Sequence, residues 1–184
     1  KSCAILWIRP ELRSSVRPTI ISFGYETKCF KEEFLWTGTR DHTPAFSSVR
    51  AVEWRREIGG EDKIMNYCRQ LASFAGRYLS EVWQTRTLVL GEANQAQMNS
   101  AMVNVQLPCN DKETLDAMFK ILWDKHHFFC HMLEFDGRFF VRVSCQIYND
   151  EADIRYMGQL VLNVLDELQT SHYQKRMTTN NNDE

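Results

Sequence analysis

The chain has 184 residues, of which 43% are hydrophobic, 25% charged and 12% aromatic, a balance that supports a packed core and excludes a disordered polymer. A formal net charge of −2 offers no bulk attraction to nucleic acid or to an anionic membrane surface, and no apolar run approaches the roughly 18 to 20 residues of a membrane span. The six cysteines (Cys3, Cys29, Cys68, Cys109, Cys130 and Cys145) form no Cys-x-x-Cys pair, and there is no Asn-x-Ser/Thr acceptor. Reduced thiols in a cytoplasmic protein are the expectation.

Ser2–Ile8 reads as a buried strand that ends at Arg9-Pro10. Such a strand needs neighbours on both edges, so a chain that opens one residue before it is expected to be a piece of a longer protein. A short strand follows at Thr19–Phe23, stopped by Gly24, and residues 25–44 show no period and read as loop. Thr43-Pro44 is a helix start, with Thr43 as N-cap and Pro44 in the first turn, and Gly59-Gly60 stops that helix.

From Glu61 the residues Ile64, Tyr67, Cys68, Leu71, Ala75, Tyr78 and Val82 recur at helical spacing and predict a long amphipathic connecting helix. Ala101–Leu107 alternates, with Val103, Val105 and Leu107 on one face and Met102, Asn104 and Gln106 on the other. Asn110–Glu113 resembles a capping box, ahead of a helix with Leu115, Met118, Phe119 and Leu122 as its stripe. Phe128–Phe135 and Arg138–Tyr148 predict a hairpin about Asp136-Gly137. Asn149 or Asp150 then caps a last helix carrying Ile154, Met157, Val161, Leu165 and Leu168, and a polar tail expected to be disordered closes the chain. The second half is thus expected to be a three-stranded, mostly antiparallel sheet packed with helices, and the first part the end of a larger sheet.

Two places can carry chemistry. Trp36–Asp41 sets Gly38 between Thr37 and Thr39 just before a helix start, so backbone N–H groups and two hydroxyls can meet a phosphate; such turns are commonly plain caps, which is the other reading. On Arg138–Tyr148, alternation places Arg142 with Ser144, Gln146 and Tyr148 opposite the apolar Phe139, Val141, Val143, Cys145 and Ile147. A guanidinium among hydrogen-bonding side chains suits a bidentate carboxylate, and a solvated strand face is the alternative. His126, His127 and His131 straddle a helix end and a strand start, so their side chains diverge and no metal site is expected. There is no Gly-x-Ser-x-Gly elbow, Walker loop or Gly-x-Gly-x-x-Gly fingerprint.

Trp36-Thr37-Gly38-Thr39-Arg40-Asp41, followed by Ala45-Phe46 and a helix ending in Ile58-Gly59-Gly60, resembles the class V aminotransferase family, in its isopenicillin N epimerase-like and cysteine desulfurase-like branch. Arg142-Val143-Ser144-Cys145-Gln146-Ile147-Tyr148-Asn149, with Asp153-Ile154 beyond, resembles that branch's C-terminal signature, and Ala4–Leu12 is similar to the strand after the family's cofactor lysine. The resemblance implies an α/β chain: an α+β small domain of a fold type I enzyme, preceded by the last strands of the large domain. The boundaries it implies are 1–59 for the end of the large domain, 60–84 for the connecting helix, 85–176 for the small domain and 177–184 for the tail.

It also implies pyridoxal 5'-phosphate as cofactor, its phosphate met by Thr37, Gly38 and Thr39, an amino-acid substrate whose α-carboxylate is held by Arg142, and a homodimer. Nucleic acid, membrane and metal have no part in it. The family's cofactor lysine, usually in a His-Lys pair, stands before the first strand. Only Lys1 does so here and without a neighbouring His, so no catalytic residue is assigned. The resemblance leaves transamination, epimerisation, desulfuration and elimination open. A non-catalytic binding or dimerisation module is the alternative.

Overall fold

The computed structural model describes residues 3–88 and 100–180, the side chains of 171–180 excepted. The chain divides into two compact units, Lys1–Gly60 and Glu61–Glu184. Ser2 and residues 181–184 of the expected tail lie outside the described residues.

In the first unit both expected strands are absent. Residues 3–9 and 19–23 form no β-ladder, and the described residues of this unit contain no strand at all. The physical reason is pairing: a strand is stable only when its N–H and C=O groups find a neighbour, and the described residues of this unit supply none. Ile5, Leu6, Trp7, Ile21 and Phe23 are exposed as a result. Pro10–Ser15 forms a 3-10 turn, and α1 (Phe30–Leu35) occupies part of the segment expected as loop. Glu32 and Glu33 in its first turn favour the positive end of the helix, and Phe30 and Phe34 contact each other with ring centroids 4.6 Å apart. The Glu33 carboxylate is buried and accepts 3.1 and 2.9 Å hydrogen bonds from Arg17 Nη1.

Helix α2 (Thr43–Glu57) begins one residue earlier than expected, with His42 at the cap position and Thr43 already helical. Asp41 Oδ1 caps it instead, accepting from the Thr43 N–H at 2.9 Å. The helix stops at Gly59 and Gly60, whose φ angles of 124° and 81° suit glycine. Among the described residues of this unit only Glu33 is buried, so it has no apolar core of its own.

The second unit holds the core. Helix α3 (Gly60–Trp83) buries Ile64, Cys68, Leu71, Ala72, Ala75, Gly76, Leu79 and Trp83. Strand β1 (Met102–Gln106) is followed by α4 (Lys112–His126), whose cap is Asp111, accepting from the Thr114 N–H at 2.7 Å. Strands β2 (His131–Phe135) and β3 (Arg138–Ser144) turn about Asp136 and Gly137, both at positive φ as a two-residue hairpin requires. Helix α5 (Glu151–Asn180) starts where Asp150 Oδ1 accepts from the Ala152 and Asp153 N–H groups, and its backbone continues into the segment expected as tail.

The sheet is antiparallel with order β1-β3-β2, and its inner face buries Val105, Phe139, Val141 and Val143 against the helices. Residues 86–88 extend it beyond β1 through the bridge Thr87 to Val105 and two backbone hydrogen bonds, Leu88 to Asn104 and Gln106 to Arg86. Helices α3 and α5 meet at Gly158, whose carbonyl accepts from Trp83 Nε1 at 3.0 Å. Among the described residues no helix is long and apolar enough to cross a membrane.

Candidate functional site

The two expected sites fall in different units. In the first unit, Thr37, Gly38 and Thr39 form the bend between α1 and α2, between the Trp36 and His42 rings, whose centroids are 6.2 Å apart. Gly38 has a φ of 110° and open space where a Cβ would stand, so its backbone can be approached closely. The Thr37 hydroxyl oxygen is buried and has no hydrogen-bond partner among the described residues. A buried hydroxyl without a partner costs roughly 1 to 3 kcal/mol, a cost that a ligand oxygen accepting from it would remove. Thr39 is exposed on the rim.

The neighbouring helix terminus contributes less than the sequence implied. One of its free donors, the Thr43 N–H, is already taken by Asp41, and Thr43 also holds the Asp41 carboxyl below its ordinary range, with His42 adding a smaller favourable charge. A phosphate oxygen here would therefore meet the Thr37-Gly38-Thr39 turn itself. That residue set fits a phosphate: a hydroxyl lacking a partner, an unobstructed glycine and a second hydroxyl.

In the second unit, Arg142 stands mid-strand on the face of the sheet turned away from the helices. The register sets Asn104 opposite it on β1 and His131 opposite it on β2, so one row runs Asn104, Arg142, His131. Arg142 is exposed and has no hydrogen-bond or ion-pair partner among the described residues. Asn104 Oδ1 beside it is buried and likewise lacks a partner among them. A fixed planar donor fork next to an unused amide acceptor can hold a carboxylate on one side and a donor on the other.

Sequence reasoning placed Asn104 on the correct face but could not pair it with Arg142, because register depends on the hairpin and the third strand together. It also left Phe140 unremarked. That ring lies on the same face as Arg142 and is 2% exposed. Of the histidines, His127 takes the left-handed conformation that ends α4, and His131 lies on β2.

No family model matches the chain. It is similar to hercynylcysteine sulfoxide lyase of Schizosaccharomyces pombe, 25% identical over 170 residues covering 87% of this chain and 41% of that protein. It is also similar to two L-cysteine desulfhydrase-like proteins of Epichloe uncinata. LolT1 is 23% identical, with 91% of this chain and 47% of that protein covered, and lolT2 is 24% identical, with 91% and 46% covered. The chain thus spans less than half the length of these curated relatives, whose names are those of a sulfoxide lyase and of cysteine desulfhydrase-like proteins.

Proposed function

We propose that this chain is the C-terminal portion of a pyridoxal 5'-phosphate-dependent enzyme of the class V aminotransferase type, with a fold type I architecture, that cleaves a carbon–sulfur bond in a cysteine-derived amino acid as a homodimer. The observation that carries the reading is Arg142, a guanidinium without a partner among the described residues, mid-strand on the sheet face turned away from the helices and beside an amide oxygen that likewise lacks one among them. The names of the similar proteins support the carbon–sulfur chemistry over epimerisation.

The chain's own residues bind and orient. Arg142 donates two parallel hydrogen bonds to the α-carboxylate, which fixes one end of the substrate and limits rotation about the bond to its Cα. Asn104 stands ready to accept from a donor next to that carboxylate. Thr37 donates its hydroxyl proton to a phosphate oxygen, Gly38 lets the backbone approach, and Thr39 closes the rim. When bound, the cofactor supplies an electron sink for the bond broken at the substrate.

The test uses the complete protein from its source, after its intact mass is measured against this chain's. Arg142→Ala should raise KM for the amino acid at least tenfold while the visible absorbance of the bound cofactor stays intact. An unchanged KM removes Arg142 from the carboxylate role.

A further inference from the structure

On the face of the sheet turned away from the helices lies a cavity of about 500 Å³, within the range of small-molecule sites. Among the described residues its apolar lining is Phe140, Phe135 and Leu88, and its charged groups are Arg86, Arg138 and Asp136. Thr87 also lines it. The bridge of Thr87 to Val105 turns Thr87 toward the helices, where its methyl would lie 3.2 Å from a Cβ on Gly76. By alternation Arg86 and Leu88 then share the outer face with Phe140 and Arg142.

The register places this cavity directly beside Arg142. Phe140 is two residues from Arg142 on β3, about 7 Å along the strand, and Arg138 is about 7 Å further. Phe140 pairs with Gln106 on one side and Leu133 on the other, and the Arg86 carbonyl accepts from the Gln106 N–H, so Arg86 falls in the Phe140 row. Neither Arg86 nor Arg138 has an ion-pair partner among the described residues, Asp136 included, and the described lining residues carry a formal charge of plus one. An apolar lining to which Phe135 and Leu88 contribute, between two guanidinium groups without an ion pair among the described residues, fits an anion carried on an apolar or aromatic body.

We infer that the cavity lined by Arg86, Phe140 and Arg138 takes a second anionic group of the substrate, so that the substrate class is an amino acid whose thioether side chain ends in an acid roughly 10 Å from its α-carboxylate. This rests on the reading of Arg142 as the α-carboxylate holder. Arg142 binds the end common to all amino acids, and the cavity selects among them by the charge at the far end. Asp136 disfavours a second negative charge at the hairpin end and confines the acid to the space between the arginines.

Calorimetric titration of the complete protein with S-(4-carboxybenzyl)-L-cysteine and with S-benzyl-L-cysteine tests it. The acid-bearing ligand should bind at least tenfold more tightly, and R86Q/R138Q should erase that preference while leaving the affinity for S-benzyl-L-cysteine unchanged. Both arginines are exposed, and the single variants R86Q and R138Q, each with an unaltered circular dichroism spectrum, should each lose part of the preference. Equal affinities in the parent, or a preference that survives in the double variant, overturn the inference. R142A separates the two readings: loss of both ligands supports the carboxylate role. Retained S-benzyl-L-cysteine affinity with the preference intact overturns that role and leaves the cavity standing.

Discussion

Among individual residues, the informative ones are polar atoms that folding leaves without a counterpart. Thr37→Val removes a buried hydroxyl that nothing in the described chain satisfies. The cofactor-free protein should gain up to about 1 kcal/mol of stability in urea unfolding, while retention of the phosphate-bearing cofactor on dialysis weakens. A variant that loses stability instead would mark Thr37 as a structural residue. The cysteines form a second set. Burial pushes the thiols of Cys109, Cys130 and Cys145 up to about 11, from an ordinary 9.0. A folded pKa above the unfolded one means that the fold prefers the neutral thiol. Its stabilisation is therefore full below pH 9 and is lost as pH rises toward 11. The urea midpoint should fall across that window, and Cys130→Ala should make the fall shallower. A variant as steep as the parent would place the loss on other groups.

Elements of the second unit were legible in the sequence because their signals are local and redundant. The Asp136-Gly137 turn specifies the hairpin, alternation specifies the faces of β1 and β3, and Asp111 and Asp150 specify two helix starts. The buried α3 stripe is offset from its sequence pattern: Tyr67 is exposed, whereas Ala72, Leu79 and Trp83 are buried. That shift comes from α5, which crosses α3 at Gly158, a contact no local pattern reveals. A Cβ on Gly158 would stand 3.0 Å from Tyr78 Cε1 and 3.1 Å from Leu79 Cδ2. Gly158→Val should therefore cost about 1 to 3 kcal/mol by overpacking, read as a lower urea midpoint. Gly158→Ala, with the same first carbon and no branches, should cost less, and equal losses would point away from crowding. Arg142 was legible from alternation alone. Asn104 as its neighbour and Arg86 as part of the adjoining cavity were not, since both depend on which strands pair.

At the scale of the molecule the two units differ in what holds them. The second has a continuous apolar core, and the first buries only Glu33 among its described residues while Ile5, Leu6, Trp7, Phe23 and Phe46 stand exposed. The strands expected there failed for want of partners, although Ser2–Ile8 has the composition of a buried strand. Residue type reports what a segment prefers, whereas a ladder needs a second segment to exist. Limited trypsin digestion of this chain should cut first within residues 3–60 and leave a resistant product that retains 61–170. Early cleavage inside α4 or β3 would contradict that ordering of stabilities.

The buried hydrogen bond from Trp83 to the Gly158 carbonyl has an optical consequence. Of the five tryptophans, Trp7, Trp36, Trp54 and Trp123 are exposed, and Trp83 alone is enclosed. Its indole emits from a dry, rigid setting at the crossing of α3 and α5, and the other four emit from water. Acrylamide therefore sorts the fluorescence into a quenched majority and a shielded blue component. The shielded component is a built-in gauge of whether that one crossing is closed, usable without any label.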